Sequence, residues 1–319
     1  MSSGALAALI HRIAVIEAAV GDRFPLFADP AGGWTTTRRG SWTGGFWAGL
    51  LWLRAAVTGG GRDLEAARSW SRRLLPRAGD DTDTRAMTFW YGAGTGHRWT
   101  GDPGAAEVAM SGARALAASA LPGSGMIPAG TAFGGDPRRI AIDAFAAVVA
   151  LLDDAGMPQA AAAHARGVAA TLVGADATIS AGPGPVWARG QAWGLLGFAV
   201  AADRLGGEFA TVAARVADRW LALAGTGVPP AMFGLPESPV DTSAAVIAAA
   251  GLWTLGDTAA AQRIVDRVVT DHLDADGTLT GGCYDLAGGV ACAHELIWGT
   301  YFLAALLAVS QARVPAAGW

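Results

Sequence analysis

Lysine is missing from this 319-residue chain, and all 23 basic side chains are arginine. Codon bias in a GC-rich genome accounts for that. The chemical consequence is that no lysine Schiff base can operate here. Charge is scarce too: 16% of residues are charged against 52% hydrophobic, with a formal net charge of −4. No basic block stands out, which argues against nucleic acid as a partner. Cysteine is nearly absent. Cys283 and Cys292 cannot make a disulfide scaffold, and a zinc site would need His or carboxylate help, so two packing thiols are expected. The chain also lacks a secretory leader pattern, because His11, Arg12 and Glu17 interrupt the first segment. No apolar run long enough to span a membrane is free of glycine or charge. The expectation is a cytoplasmic protein with no membrane partner.

What is present is helical periodicity, with almost no strand alternation. Twelve helices are predicted, near 3–20, 42–57, 63–75, 85–97, 104–118, 138–153, 158–172, 188–204, 208–224, 242–255, 258–273 and 293–310. Glycine and proline punctuate the gaps, as in Gly101-Asp102-Pro103 and Gly182-Pro183-Gly184-Pro185. The longest unassigned stretches, about 119–137, 225–241 and 274–292, are candidates for substrate loops.

The helices alternate in character. Odd-numbered ones carry spaced charge, as in Arg62-Asp63-Leu64-Glu65 or Arg263, Asp266 and Arg267. Even-numbered ones are apolar nearly all round, as in Ala244–Leu252 and Tyr301–Val309, and such helices are buried. Alternating outer and inner helices predict an all-α (α/α)6 barrel: six hairpins in a single domain over residues 1–319. An irregular α-solenoid would need a clearer repeat. In the barrel, six inner N-termini share one mouth, and their dipoles favour an anionic ligand there.

The first turns of the even helices carry Trp42, Arg85, Asp143, Arg189, Gln191, Trp193, His294 and Trp298. Indole faces stack on sugar rings, amides bond hydroxyls and arginine pairs with carboxylates, so a small sugar or glycoside, anionic in character, is the expected partner. No metal-ligand cluster is visible, and neither metal nor cofactor is expected.

Four blocks carry a family resemblance. They are Trp42-Thr43-Gly44-Gly45-Phe46-Trp47-Ala48-Gly49, Trp187-Ala188-Arg189-Gly190-Gln191-Ala192-Trp193, Asp241-Thr242-Ser243-Ala244 and Ile297-Trp298-Gly299-Thr300-Tyr301-Phe302. In order and spacing they resemble the unsaturated glucuronyl hydrolases and the related unsaturated rhamnogalacturonyl hydrolases, over nearly the whole chain. The resemblance implies an (α/α)6 barrel that protonates and hydrates the C4=C5 enol ether of a terminal unsaturated uronate. It implies Asp143 as the catalytic acid and base. It implies substrate contacts by Trp42, Arg85, Arg189, Gln191, Trp193, His294 and Trp298.

The chain also departs from the family pattern. The family's His-Asp pair falls on Arg85 and Ala86, so its second carboxylate is missing. A substrate-contacting His is missing from Ala181-Gly182-Pro183-Gly184-Pro185, and Thr300 stands where an Asp is usual. Asp83, three residues before Ala86, is the candidate substitute acid; otherwise it is a loop or cap carboxylate in Asp80-Asp81-Thr82-Asp83. Two other readings follow from the departures. One is different acid–base chemistry on the same barrel (dehydration, isomerisation or cyclisation in specialised metabolism). The other is a non-catalytic carbohydrate-binding barrel. A terpene-cyclase reading fails, because Asp81-Thr82-Asp83-Thr84 only half matches an Asp-rich motif.

Overall fold

A computed structural model describes residues 2–179 and 184–316. Their twelve helices close into a double ring. The outer ring holds α1 (Ser2–Val20), α3 (Gly61–Arg72), α5 (Pro103–Ala117), α7 (Pro158–Leu172), α9 (Ala210–Ala224) and α11 (Thr258–His272). The inner ring holds α2 (Gly44–Thr58), α4, α6 (Phe145–Asp154), α8 (Ala188–Leu205), α10 (Thr242–Thr254) and α12 (Ile297–Ser310). Helix α4 is composite: Arg85–Phe89, one wide π turn over Trp90–Gly94, then Thr95–Thr100. Each inner helix packs on the next, and α12 returns to pack on α2. That closure makes an (α/α)6 barrel, as the alternation predicts, and excludes an open solenoid.

The burial pattern gives the reason. Residues Ile297–Val309 of α12 and Thr242–Leu252 of α10 are buried on every face. By contrast, α3 and α9 bury one stripe each, Ala67 and Trp70 in α3 and Ala213, Val216 and Trp220 in α9. Aromatic rings fill the barrel axis: Phe46 stacks on Tyr91 at 4.6 Å, and Tyr301 and Phe302 lie against both. Two inner helices touch backbone to backbone. A Cβ on Gly45 of α2 would lie 2.4 Å from the Met87 carbonyl oxygen of α4, so only glycine fits there.

Three inner-helix starts differ from expectation. Helix α6 begins at Phe145 rather than 138, because Pro137 and the turns through Asp136–Arg139 and Ile142–Phe145 occupy the preceding chain. Asp143 therefore precedes the helix. Helix α12 begins at Ile297 rather than 293, because Glu295–Leu296 form a strand, β5. It pairs antiparallel with β1 (Phe24–Ala28), which also pairs with β2 (Trp34–Thr37). Helix α2 begins at Gly44, two residues late. A second small sheet joins β3 (Val186–Trp187) to β4 (Met232–Phe233). These strands are too short for alternation to reveal.

Candidate active site

A cavity of about 280 Å³ opens where the inner helices start. Trp42 enters it just before α2, Asp83 and Thr84 just before α4, and Arg139, Ala141 and Asp143 before α6. Trp187 and Arg189 come from the start of α8, Phe133 from the loop between α5 and α6, and Tyr284 and Asp285 from the loop before α12.

The turn that aims Trp42 is unusual. Ser41 has φ +45°, a left-handed conformation that non-glycine residues seldom adopt. The buried Arg77 side chain braces it, donating to the carbonyl oxygens of Arg39 and Ser41 while ion-paired to Asp80. The Trp42 indole N–H donates to the Tyr284 hydroxyl at 3.3 Å, and its ring lies 4.6 Å from the ring of buried Trp298. Trp298 is thus the support beneath Trp42 rather than part of the cavity wall.

Arg189 is built in. Its guanidinium donates to Asp241 at 2.8 Å and to the carbonyl oxygens of Cys283 and Tyr284. The rings of Trp187 and Trp298 lie at 5.0 and 5.6 Å from it. Asp241 in turn caps α10, accepting from the Ser243 amide at 3.0 Å and from the Ser243 hydroxyl. A buried arginine requires such a partner set.

Three carboxyl residues line the cavity, Asp83, Asp143 and Asp285, and the first two have raised pKa values. Asp143 is half-buried. Desolvation raises its pKa, against the opposing charges of Arg189 and Arg139. Asp83 is 3% exposed. Desolvation, with the charge of Asp143 added, pushes its pKa up to about 7, while Arg139 and hydrogen bonds from Thr84 and Thr82 pull the other way. The site thus holds a perturbed carboxyl besides Asp143 even though Ala86 is fully buried away from it.

The remaining expected residues lie elsewhere. Arg85 turns from the cavity and donates to the Ala78 carbonyl and the Ser119 hydroxyl, both at 2.9 Å. Gln191 is fully buried and tethers the Ile179 amide and the Ala177 carbonyl. Trp193 packs on Phe302 in the barrel axis. His294 packs edge-on to Phe27 at 5.6 Å, outside the cavity lining. Much of Ala181–Pro185, where the family's further His is missing, lies outside the described residues. Phe133 and Asp285 were not singled out in sequence as site residues, since loops carry no periodicity to mark them. Tyr284 was legible only from its position in a glycine-flanked loop.

No family model matches the chain. A search of curated proteins finds the unsaturated glucuronyl hydrolase of Bacillus sp. (strain GL1), 30% identical over 350 aligned positions that cover 91% of this chain and 92% of that one. The chain belongs to the unsaturated glucuronyl hydrolase family. Solved structures agree. The Bacillus sp. GL1 enzyme, described as responsible for the degradation of glycosaminoglycan, superimposes with a TM-score of 0.85 at 25% identity, covering 98% of both chains. An Asp-to-Asn variant of such an enzyme with dGlcA-Glc-Rha-Glc reaches 0.87 at 25% identity and the same coverage. A heparin-specific unsaturated glucuronyl hydrolase shares the fold, with a TM-score of 0.86 at 21% identity. In this chain Asp83, three residues ahead of Ala86, lines the cavity. No helix of the described residues is long and apolar enough to cross a membrane.

Proposed function

We propose that this enzyme hydrates the C4=C5 enol ether of a terminal unsaturated uronic acid on a small glycoside. One observation carries the reading: two carboxyl groups with raised pKa, Asp83 and Asp143, face one aromatic-walled cavity at the inner mouth of this family's barrel. With its pKa up at about 7, Asp83 keeps part of its proton near neutral pH, helped by burial and the charge of Asp143. That proton goes to C4 of the enol ether. The carboxylate of Asp143 then takes a proton from water as its oxygen bonds to C5. The hemiketal formed at C5 collapses as its C5–O5 ring bond breaks, its hydroxyl proton passing to O5, which leaves a ketone at C5 and a hemiacetal at C1. That hemiacetal in turn breaks its C1–O bond, the hydroxyl proton passing to the leaving glycoside, and the sugar acid separates as the open-chain aldehyde. One carboxyl pair serves as acid and then base.

The rest of the cavity suits such a ligand. Trp42, Trp187, Tyr284 and Phe133 offer faces for a flat, half-unsaturated ring. Arg139 is exposed at the cavity edge, where it can meet a uronate carboxylate. Arg189 supplies positive charge from a fixed position beneath. Its donors to Asp241, Cys283 and Tyr284 hold the wall in place.

The test is the absorbance of an unsaturated uronyl disaccharide incubated with wild type and with Asp143→Asn. The chromophore disappears on hydration. Loss with wild type alone supports the reading. No loss with either protein, across several unsaturated uronides, overturns it in favour of other acid–base chemistry on the same barrel. Equal binding of saccharide by both proteins without turnover would make the barrel a binding module.

A further inference from the structure

The two cysteines are partners. The chain from Gly282 to His294 folds back on itself: Gly282 and His294 exchange backbone hydrogen bonds at one end, and Asp285 and Val290 exchange them at the other. Tyr284 donates to the Ala291 carbonyl between them. In the Asp285–Val290 register, Cys283 stands across from Cys292. Cys292 acts on the Cys283 thiol across the hairpin, adding to the rise in its pKa that burial causes. The Cys292 sulfur also lies 3.6 Å from the Asp285 carbonyl oxygen, so it points over the hairpin.

The strand bearing Cys283 is pinned to the barrel. The Cys283 amide donates to Asp241 at 3.3 Å, and its carbonyl accepts from Arg189. On the opposite strand Ala291 is buried in the core and His294 packs on Phe27, while the tip from Ala287 to Val290 is exposed. This hairpin delivers Tyr284 and Asp285 to the cavity and places the Tyr284 hydroxyl on Trp42.

We propose that Cys283 and Cys292 form a reversible disulfide that clamps this hairpin against the cavity. Cys292 is partly exposed and Cys283 buried, which sets the order of events. The Cys292 thiolate attacks a low-molecular-weight disulfide such as oxidised glutathione. One glutathione thiolate leaves, and Cys292 carries the other glutathione. Cys283 gives up its proton, attacks the Cys292 sulfur and displaces the second glutathione. Two protein thiols are oxidised, and one glutathione disulfide is reduced to two thiols. Burial holds the Cys283 thiol up at about 12, so the second step is the slow one and speeds up as pH rises.

The experiment uses the folded full-length protein, incubated with oxidised glutathione, quenched by alkylation and read by intact mass and peptide mapping. The expected product is lighter by two hydrogen atoms, with the peptides of Cys283 and Cys292 linked, and it reverts with reductant. Cys292→Ser should give no such product. Limited proteolysis at the 287–290 tip should be slowed by about tenfold or more in the oxidised wild type and unchanged in Cys292→Ser, an opening difference set by local stability. A stable glutathione adduct on Cys292 alone, or two thiols that still alkylate, overturns the disulfide. A disulfide that leaves tip proteolysis unchanged overturns the clamp. Any effect on turnover rests on the hydration reading above, but mass and proteolysis do not, so the two can fail separately.

Discussion

Asp83 and Asp143 face one cavity from different inner-helix starts, and the charge on Asp143 raises the pKa of Asp83. The two are 60 positions apart in sequence, since Asp83 precedes α4 and Asp143 precedes α6. Under the proposed hydration, Asp83 supplies the second carboxyl that Ala86 does not.

The pair predicts a pH signature in stability as well as in rate. The Asp83 pKa is raised in the folded state, to about 7 from an ordinary 3.8. Its contribution to stability is therefore fully present below pH 3.8 and is lost as pH rises through about 7. Asp83→Asn removes that loss. Urea unfolding at pH 4.5 and pH 8 should show the variant gaining on wild type at the higher pH by on the order of 2 kcal/mol. The same variant should lose about 100-fold or more in turnover of an unsaturated uronide. Parallel pH dependence in the two proteins would remove Asp83 from the titrating pair.

Arg189 should be a stability residue as much as a site residue. It is 4% exposed and paired to Asp241, which is fully buried. Arg189→Ala leaves that carboxylate without its cation and should cost about 3–5 kcal/mol. Arg189→Lys keeps the charge but not the fork that reaches the carbonyl oxygens of Cys283 and Tyr284, so it should recover only part of the loss. Chemical denaturation of both variants checks this. An alanine variant as stable as wild type would show that the pair bears little of the fold.

His164 anchors the loop that carries Phe133 and Arg139. Its Nδ1 accepts the Ile127 amide at 3.1 Å inside the core, and burial pushes its pKa down to about 4. With the folded value depressed below the ordinary 6.5, its contribution is present above pH 6.5 and lost as pH falls toward 4. His164→Ala should destabilise by about 2–3 kcal/mol through the orphaned amide and the space left. It should also raise KM more than it lowers kcat, because Arg139 and Phe133 lose their anchor. Steady-state kinetics beside denaturation at pH 5 and pH 7 would test both parts.

The barrel was legible because inner and outer helices differ in how many faces they bury, and that difference is written in composition. Strands β1 to β5 were not, since two to five residues leave no room for a period. For the site, Trp42, Asp83, Asp143 and Arg189 were named from sequence and meet in the cavity. Gln191 and Trp193 were named with Arg189 and do not, for a geometric reason. At 3.6 residues per turn, a residue two positions on points to roughly the opposite side of α8, and one four positions on lies a full turn deeper. A first turn is not a face. Arg139 and Phe133 come from a loop whose path depends on tertiary contacts such as His164 to Ile127.

Closure of the inner ring by α12 on α2 also governs when the enzyme comes into being. The cavity draws on positions from Trp42 to Asp285, so no short contiguous fragment contains it, and Trp298 of α12 supports Trp42 from beneath. Its walls are complete only after the last hairpin docks against the first, the most distant pairing in the chain. Contacts of such sequence separation form late, because the intervening loop entropy must be overcome first. During refolding, recovery of catalysis should therefore lag recovery of helical signal, and translation must reach the final helix before any turnover begins.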